Sequence, residues 1–346
     1  MNGFDGFLGN DKLISRLKSD IGNNRMSHAY IIEGAPGTGR RTLARLICAA
    51  VSCADADRPC MKCRTCDLIL RGQSPDVITV ERERDRVQLG VDVIRRLRED
   101  AVYAAGELPC KFYLIPDADV MNVQAQNALL KILEEPPTAV MFLLLCENAD
   151  NLLPTIRSRA PSLRISALSD EAVSSWLLAN DEAARALHEK DEQTFRVTVR
   201  MAGGSIGRAR QLADPEKAEA CMALWSRAER FLSLLANRRN SADELAFYEH
   251  AAKLSTKRDE LDEIFALIAD GLRDLAAAKL TSAGSGAFRP LFYTDEESAR
   301  ALSERFALGR LLRLSELVGE ARASLARNVN VSLTQVRLAM SAGGQA

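Results

Sequence analysis

Gly34-Ala35-Pro36-Gly37-Thr38-Gly39-Arg40-Arg41-Thr42 has the frame of a phosphate-binding loop, G-x-x-x-x-G-K-[ST], with its two chemically active letters replaced. In an intact loop the glycine-rich backbone turns its N–H groups toward the phosphates. A Lys reaches the β- and γ-phosphates, and a Ser/Thr hydroxyl ligates Mg²⁺. Here Arg40 stands at the Lys position and Arg41 at the hydroxyl position, and Thr42 comes one residue late. On the following helix that delay rotates the hydroxyl by about 100°. A planar guanidinium does not simply replace a point charge on a thin stem, and a cation at the ligand position repels Mg²⁺. The stretch Ser27–Ile32 reads as a strand entering the loop and Leu43–Val51 as the helix leaving it, which is the setting the motif requires.

Working outward, residues up to about 166 alternate strand and helix signals. Ile14, Leu17 and Ile21 share one helical face. Asp76–Val80 reads as a short buried strand, Leu89 to about Ala105 as a helix that Asp92 helps to start, and Lys111–Ile115, Met141–Cys146 and Ser162–Ile165 as further strands. Such alternation implies a parallel sheet with helices on both faces and a ligand site at the carboxyl ends of the strands. Beyond Ser166 the strand signal stops. Ser169-Asp170-Glu171 opens a small helical segment running to about Leu212, and the remainder reads as long amphipathic helices over 217–237, 242–280 and 295–327, interrupted by a loop at Thr281–Pro290. The expected domains are therefore 1–166, 167–212 and 213–346.

The strand Lys111–Ile115 runs into Pro116-Asp117-Ala118-Asp119. An ATP-hydrolysing site needs an Asp for Mg²⁺ here and usually a Glu to orient water. Pro116 offers no ligand, and Asp117 falls at the Glu position with a shorter reach. Losses at the loop and at this strand end together remove the groups that grip MgATP, so hydrolysis by this chain is not expected.

Cys53, Cys60, Cys63 and Cys66 form C-x6-C-x2-C-x2-C within residues 53–66. Four thiolates at such spacing can close a tetrahedral Zn²⁺ site, structural because no coordination position stays open. An iron–sulfur cluster shares the C-x2-C-x2-C run, but its usual further Cys before a Pro is missing. Cys48, Cys110, Cys146 and Cys221 are scattered and read as small buried hydrophobes.

Composition sets outer limits. The 346 residues are 47% hydrophobic and 27% charged, with a net charge of −1, which describes a globular chain without a global basic field for nucleic acid. Aromatics at 5% argue against base-stacking platforms. No apolar run spans a membrane, and the opening Met1-Asn2-Gly3-Phe4-Asp5 lacks a signal-peptide pattern. A cytoplasmic location is the expectation, with cysteines reduced or metal-bound.

Asn127-Ala128-Leu129-Leu130-Lys131-Ile132-Leu133-Glu134-Glu135-Pro136-Pro137 makes the first specific resemblance. Its physical content is an apolar face of Ala128, Leu129, Ile132 and Leu133 on a helix stopped by Pro136. The full string resembles the bacterial DNA polymerase III clamp-loader family within the AAA+ ATPases. His28-Ala29-Tyr30, the four-cysteine module, Leu89-Gly90-Val91-Asp92, Ala202–Ala209 and Asn328-Val329-Asn330 are similar to that family too. So is Thr155-Ile156-Arg157-Ser158-Arg159, although Ala160 stands where the family's Ser-Arg-Cys motif has Cys.

The resemblance implies an AAA+ module with an inserted zinc module, then a small helical lid and an all-α collar. It implies membership of a five-subunit ring, with gamma/tau and delta subunits, that loads the sliding clamp onto primed DNA. Arg159 would be an arginine finger acting in trans, and Ser158 would set its turn. The altered loop fits a member that does not hydrolyse ATP. Two other readings stay open: a gamma/tau-type ATPase using Arg40 and Asp117, and a DNA-binding zinc protein using Lys62, Arg64 and Arg71.

Overall fold

The computed structural model describes residues 3–81, 89–281, 288 and 290–343, which fall into two units. The first comprises Met1–Ala172 with Gly204–Arg208, and the second Val173–Gly203 with Ala209–Ala346.

Unit 1 is built on five parallel strands: β1 (Ala29–Glu33), β2 (Val77–Thr79), β3 (Lys111–Ile115), β4 (Val140–Cys146) and β5 (Ser162–Arg164). Their order across the sheet is β2-β3-β4-β1-β5. Parallel strands need crossovers, and crossover helices cover both faces. α1 (Asp11–Gly22) precedes the first strand, and the connections between strands carry α2 (Arg40–Ser52), α3 (Arg64–Arg71), α4 (Val91–Asp100), α5 (Val123–Glu134) and the single turn α6 (Pro154–Arg157).

Every residue of β3 and β4 is buried, so these strands read as continuous apolar runs rather than as alternating ones. The period of two nevertheless sorts their side chains. Tyr30, Ile32, Phe112, Leu114, Leu143 and Leu145 face a core shared with Leu17, Leu43, Ile47 and Ile69 of α1 to α3. Ile31, Tyr113, Ile115, Phe142 and Leu144 face a second core with Ile94, Leu97, Leu129 and Ile132 of α4 and α5. The Tyr113 and Phe142 rings stack there at 5.5 Å. Burying one such large side chain is worth about 1.5–3 kcal/mol.

Two expectations for this unit change. Among the described residues β2 is an edge strand, paired only with β3 and half exposed, rather than a buried one. The helix expected to reach Ala105 ends at Asp100. The chain then turns so that the N–H groups of Gly106, Glu107 and Leu108 point at the buried Asp76 carboxylate, at 2.7, 2.7 and 2.8 Å.

Unit 2 is helical: α7 (Asp170–Asn180, whose first turn belongs to unit 1), α8 (Glu182–Lys190), α9 (Glu192–Met201), α10 (Ile206–Leu212, whose start up to Arg208 belongs to unit 1), α11 (Pro215–Ala236), α12 (Ser241–Ala251), α13 (Arg258–Leu280), α14 (Glu296–Ser303), α15 (Leu308–Ala326) and α16 (Val331–Gly343). The apolar stretch 242–280 is thus two helices, and so is 295–327. Phe231, Phe247, Phe265, Leu272, Phe292 and Leu311 lie in its core. The loop expected at 281–290 lies mostly outside the described residues. Among the described residues no helix is long and apolar enough to cross a membrane.

Candidate functional site: phosphate loop, arginine corner and cysteine cluster

The sheet order places the ends of β3 and β1 on either side of β4. The loop leaves β1 with the Gly34 N–H bonded to the Cys146 carbonyl at the end of β4, at 3.1 Å. Thr38 Oγ1 closes the turn on the Ala35 carbonyl at 2.8 Å. Gly37 and Gly39 take φ of +75° and +97°, a left-handed region that favours glycine. A Cβ on Gly37 would stand 2.3 Å from Ser205 Oγ, whose hydroxyl donates to the Gly37 carbonyl at 2.7 Å and accepts the Arg208 N–H at 3.0 Å. The loop is therefore shaped by a residue 168 positions away.

At the Lys position the Arg40 side chain is 13% exposed, with Nη2 3.8 Å from Glu147 Oε1 just past β4. Its Nη1 is buried and finds no hydrogen-bond partner among the described residues. Arg41 and Thr42 face solvent. Across β4, Pro116 is buried at the end of β3, and Asp117 has a left-handed φ of +52° as it starts the turn Ala118–Val120. Asp119 Oδ2 accepts the Glu147 and Asn148 N–H groups at 3.0 and 3.2 Å. Burial, reinforced by Asp119 and Glu33 and opposed by Arg40, pushes the Cys146 thiol up to about 12. Gly34, Gly37, Gly39, Arg40 and Thr42 thus keep the outline of a phosphate cradle. The charge at its throat is a guanidinium leaning on Glu147.

Ser158 and Arg159 lie just after α6. Ser158 Oγ donates to the Thr155 carbonyl at 3.0 Å, tying the turn. Arg159 Nη1 donates to the same carbonyl at 3.0 Å, and Nη2 pairs with Glu134 Oε1 at 2.7 Å. The Arg159 side chain stays 35% exposed. Glu134 belongs to the string quoted for the family resemblance, but sequence reading gave it no role.

The four cysteines meet where α2 hands over to α3. Cys53 caps the end of α2, and Cys63 caps the start of α3 with its Sγ accepting the Cys66 N–H at 3.4 Å. All four Sγ atoms lie within 4.8 Å of one another. Four sulfurs about 2.3 Å from one zinc stand about 3.8 Å apart, so the cluster fits a metal such as Zn²⁺. The N–H groups of Lys62 and Cys63, aimed at Cys60, lower its thiol to about 7, toward the thiolate a metal binds. Burial pushes Cys66 up, so metal binding there displaces a proton. Cys48, Cys146 and Cys221 are buried and Cys110 half-buried, with no disulfide among the described residues.

A parallel sheet carrying a glycine phosphate loop at its carboxyl edge, with a four-cysteine insertion after the loop helix, defines a class of nucleotide-loop α/β proteins. Residues 9–169 match the model of a family described as DNA polymerase III, delta subunit. The chain is 34% identical over 171 residues to DNA polymerase III subunit delta' of Bacillus subtilis, covering 49% of this chain and 51% of that protein. It is 34% identical over 196 residues to subunit delta' of Pseudomonas aeruginosa, covering 55% and 57%. It is also 31% identical over 172 residues to subunit tau of Bacillus subtilis, covering 49% and 30%. The matches thus span between 30% and 57% of these relatives' own lengths. Over residues 9–169 the chain is thus similar to clamp-loader subunits of bacterial DNA polymerase III.

Proposed function

We propose that this chain is a delta-prime-type subunit of the clamp loader, silent toward ATP itself and supplying Arg159 in trans to a neighbouring gamma or tau subunit. The observation that carries the reading is the combined substitution at the loop and strand end. Arg40 and Arg41 occupy the Lys and hydroxyl positions, and Pro116 occupies the carboxylate position. Phosphoryl transfer depends almost wholly on positioning and metal-borne charge, and each of these three replacements removes part of that apparatus. Similarity alone does not choose between subunit types, since tau is nearly as similar as delta' over a match of nearly the same length. The loop chemistry favours the silent member.

In this reading residues 167–212 act as the lid and 213–346 as the collar that joins the ring, alongside gamma/tau and delta. The assembly acts on the sliding clamp and primed DNA. The four cysteines hold a structural Zn²⁺ that keeps the turn between α2 and α3 closed. Reconstitution of the complex with Arg159→Ala tests the reading. Turnover at the adjoining nucleotide site and clamp loading should both fall; unchanged values would remove the trans role from Arg159.

A further inference from the structure

Glu134 is the last residue of α5, a 12-residue helix. A carboxylate at a helix C-terminus faces the negative end of the helix dipole, so nothing local to α5 favours it there. Its partner is Arg159: Nη2 sits 2.7 Å from Glu134 Oε1. The other terminal nitrogen, Nη1, lies 3.0 Å from the Thr155 carbonyl and 3.4 Å from Ser158 Oγ. Each terminal nitrogen thus has a fixed acceptor, and the side chain as a whole still keeps about a third of its surface open. The helix end that carries Glu134 is itself pinned. His28 Nε2 is 3.1 Å from the Leu133 carbonyl, and Pro136 prevents the helix from continuing.

We propose that Glu134 is the positioning residue for Arg159, holding its guanidinium in one outward-facing pose before a neighbouring phosphate arrives. This rests on the trans role proposed above for Arg159 and adds to it the element that sets the side chain's geometry. A free Arg loses rotamer entropy when it engages a ligand, whereas one already fixed loses less. Glu134 acts here through its contact with Arg159, so its effect should pass wholly through Arg159.

The test uses the reconstituted complex with gamma/tau, delta, clamp and primed DNA, and compares Glu134→Ala, Glu134→Gln, Arg159→Ala and the double variant. Glu134→Ala should lower kcat for ATP by about two- to tenfold, the range expected for freeing one long side chain, with KM for ATP unchanged. Glu134→Gln, which keeps an acceptor oxygen without the charge, should fall between. On the Arg159→Ala background, Glu134→Ala should change nothing further. Thermal melting of each free variant establishes that it folds.

An equal loss from Glu134→Ala on the Arg159→Ala background would overturn the proposal, because the effect would then not pass through Arg159. A rise in turnover would overturn it too, by showing that the pair restrains the arginine rather than presenting it. If Arg159→Ala impairs turnover and Glu134→Ala does not, the positioning role fails while the trans role stands. If Arg159→Ala itself has no effect, both fail.

Discussion

Two corners of the same sheet have kept different things. At the carboxyl ends of β1, β3 and β4, the loop keeps the backbone of a phosphate cradle while several side chains around it are engaged with the protein itself. Arg40 leans on Glu147, Asp119 is committed to the N–H groups of residues 147 and 148, and Pro116 fills the strand end. At the corner after α6, Arg159 is held by Glu134 and Thr155 yet remains open to solvent. The first corner has a glycine cradle with a guanidinium at its throat; the second presents a cation to solvent. Under the function proposed above, one subunit would lose the chemistry of its own site and keep the group that serves the next one.

The sharpest way to break this comparison is Arg159→Ala in the complex. An arginine supplied in trans is worth about 10³-fold or more in phosphoryl transfer, so single-turnover phosphate release at the adjoining site should fall by at least about that factor. The contrast also depends on the scaffold that carries both corners. Isolated chain should carry about one zinc per four-cysteine site, measured by elemental analysis. Cys66→Ser should abolish that stoichiometry and lower the melting temperature, with a loss of about 2–5 kcal/mol for breaking a buried metal-ligand site.

A smaller effect is expected at Asp76. Burial raises its carboxyl, but the three N–H groups of residues 106–108, aided by Lys111, outweigh that and hold it below the ordinary value. A group depressed in the folded state stabilises above the unfolded value and loses that contribution as pH falls through the folded value. Asp76→Asn should therefore cost about 1–3 kcal/mol near neutral pH. The gap in melting temperature between wild type and variant should shrink below about pH 4, the ordinary carboxylate range. The smallest expected effect sharpens the first corner. Restoring only the loop, with Arg40→Lys and Arg41→Thr, should yield no phosphate release while Pro116 still blocks the metal position.

Much of this was legible because the relevant signals are local. The glycine spacing, the apolar runs of β3 and β4 and the cysteine spacing each report on residues that touch their own neighbours. What escaped reading depends on partners far along the chain. The helical periodicity of 242–280 hides the break after α12. There the interrupted backbone at Ser255 is satisfied by Gln335, which accepts its N–H at 3.2 Å and donates to its carbonyl at 2.7 Å. Ser255-Thr256 followed by Asp259 and Glu260 was the available start signal for α13. The helix after Gly90 ends early because Asp76, 30 residues upstream, captures the Gly106 N–H. Strand β2 was misplaced as buried because β-branched composition does not distinguish an edge from the middle of a sheet. The shaping of Gly37 by Ser205 and of Arg159 by Glu134 has no local signature, since neither pair is close in sequence.

In the function proposed above, the loop does not grip a magnesium-bound triphosphate. Phosphate release by the purified chain alone, with ATP and Mg²⁺ in excess, measures it directly. Release should be no greater than that of a preparation carrying Arg40→Ala. Steady turnover by the wild-type chain that Arg40→Ala abolishes would contradict it.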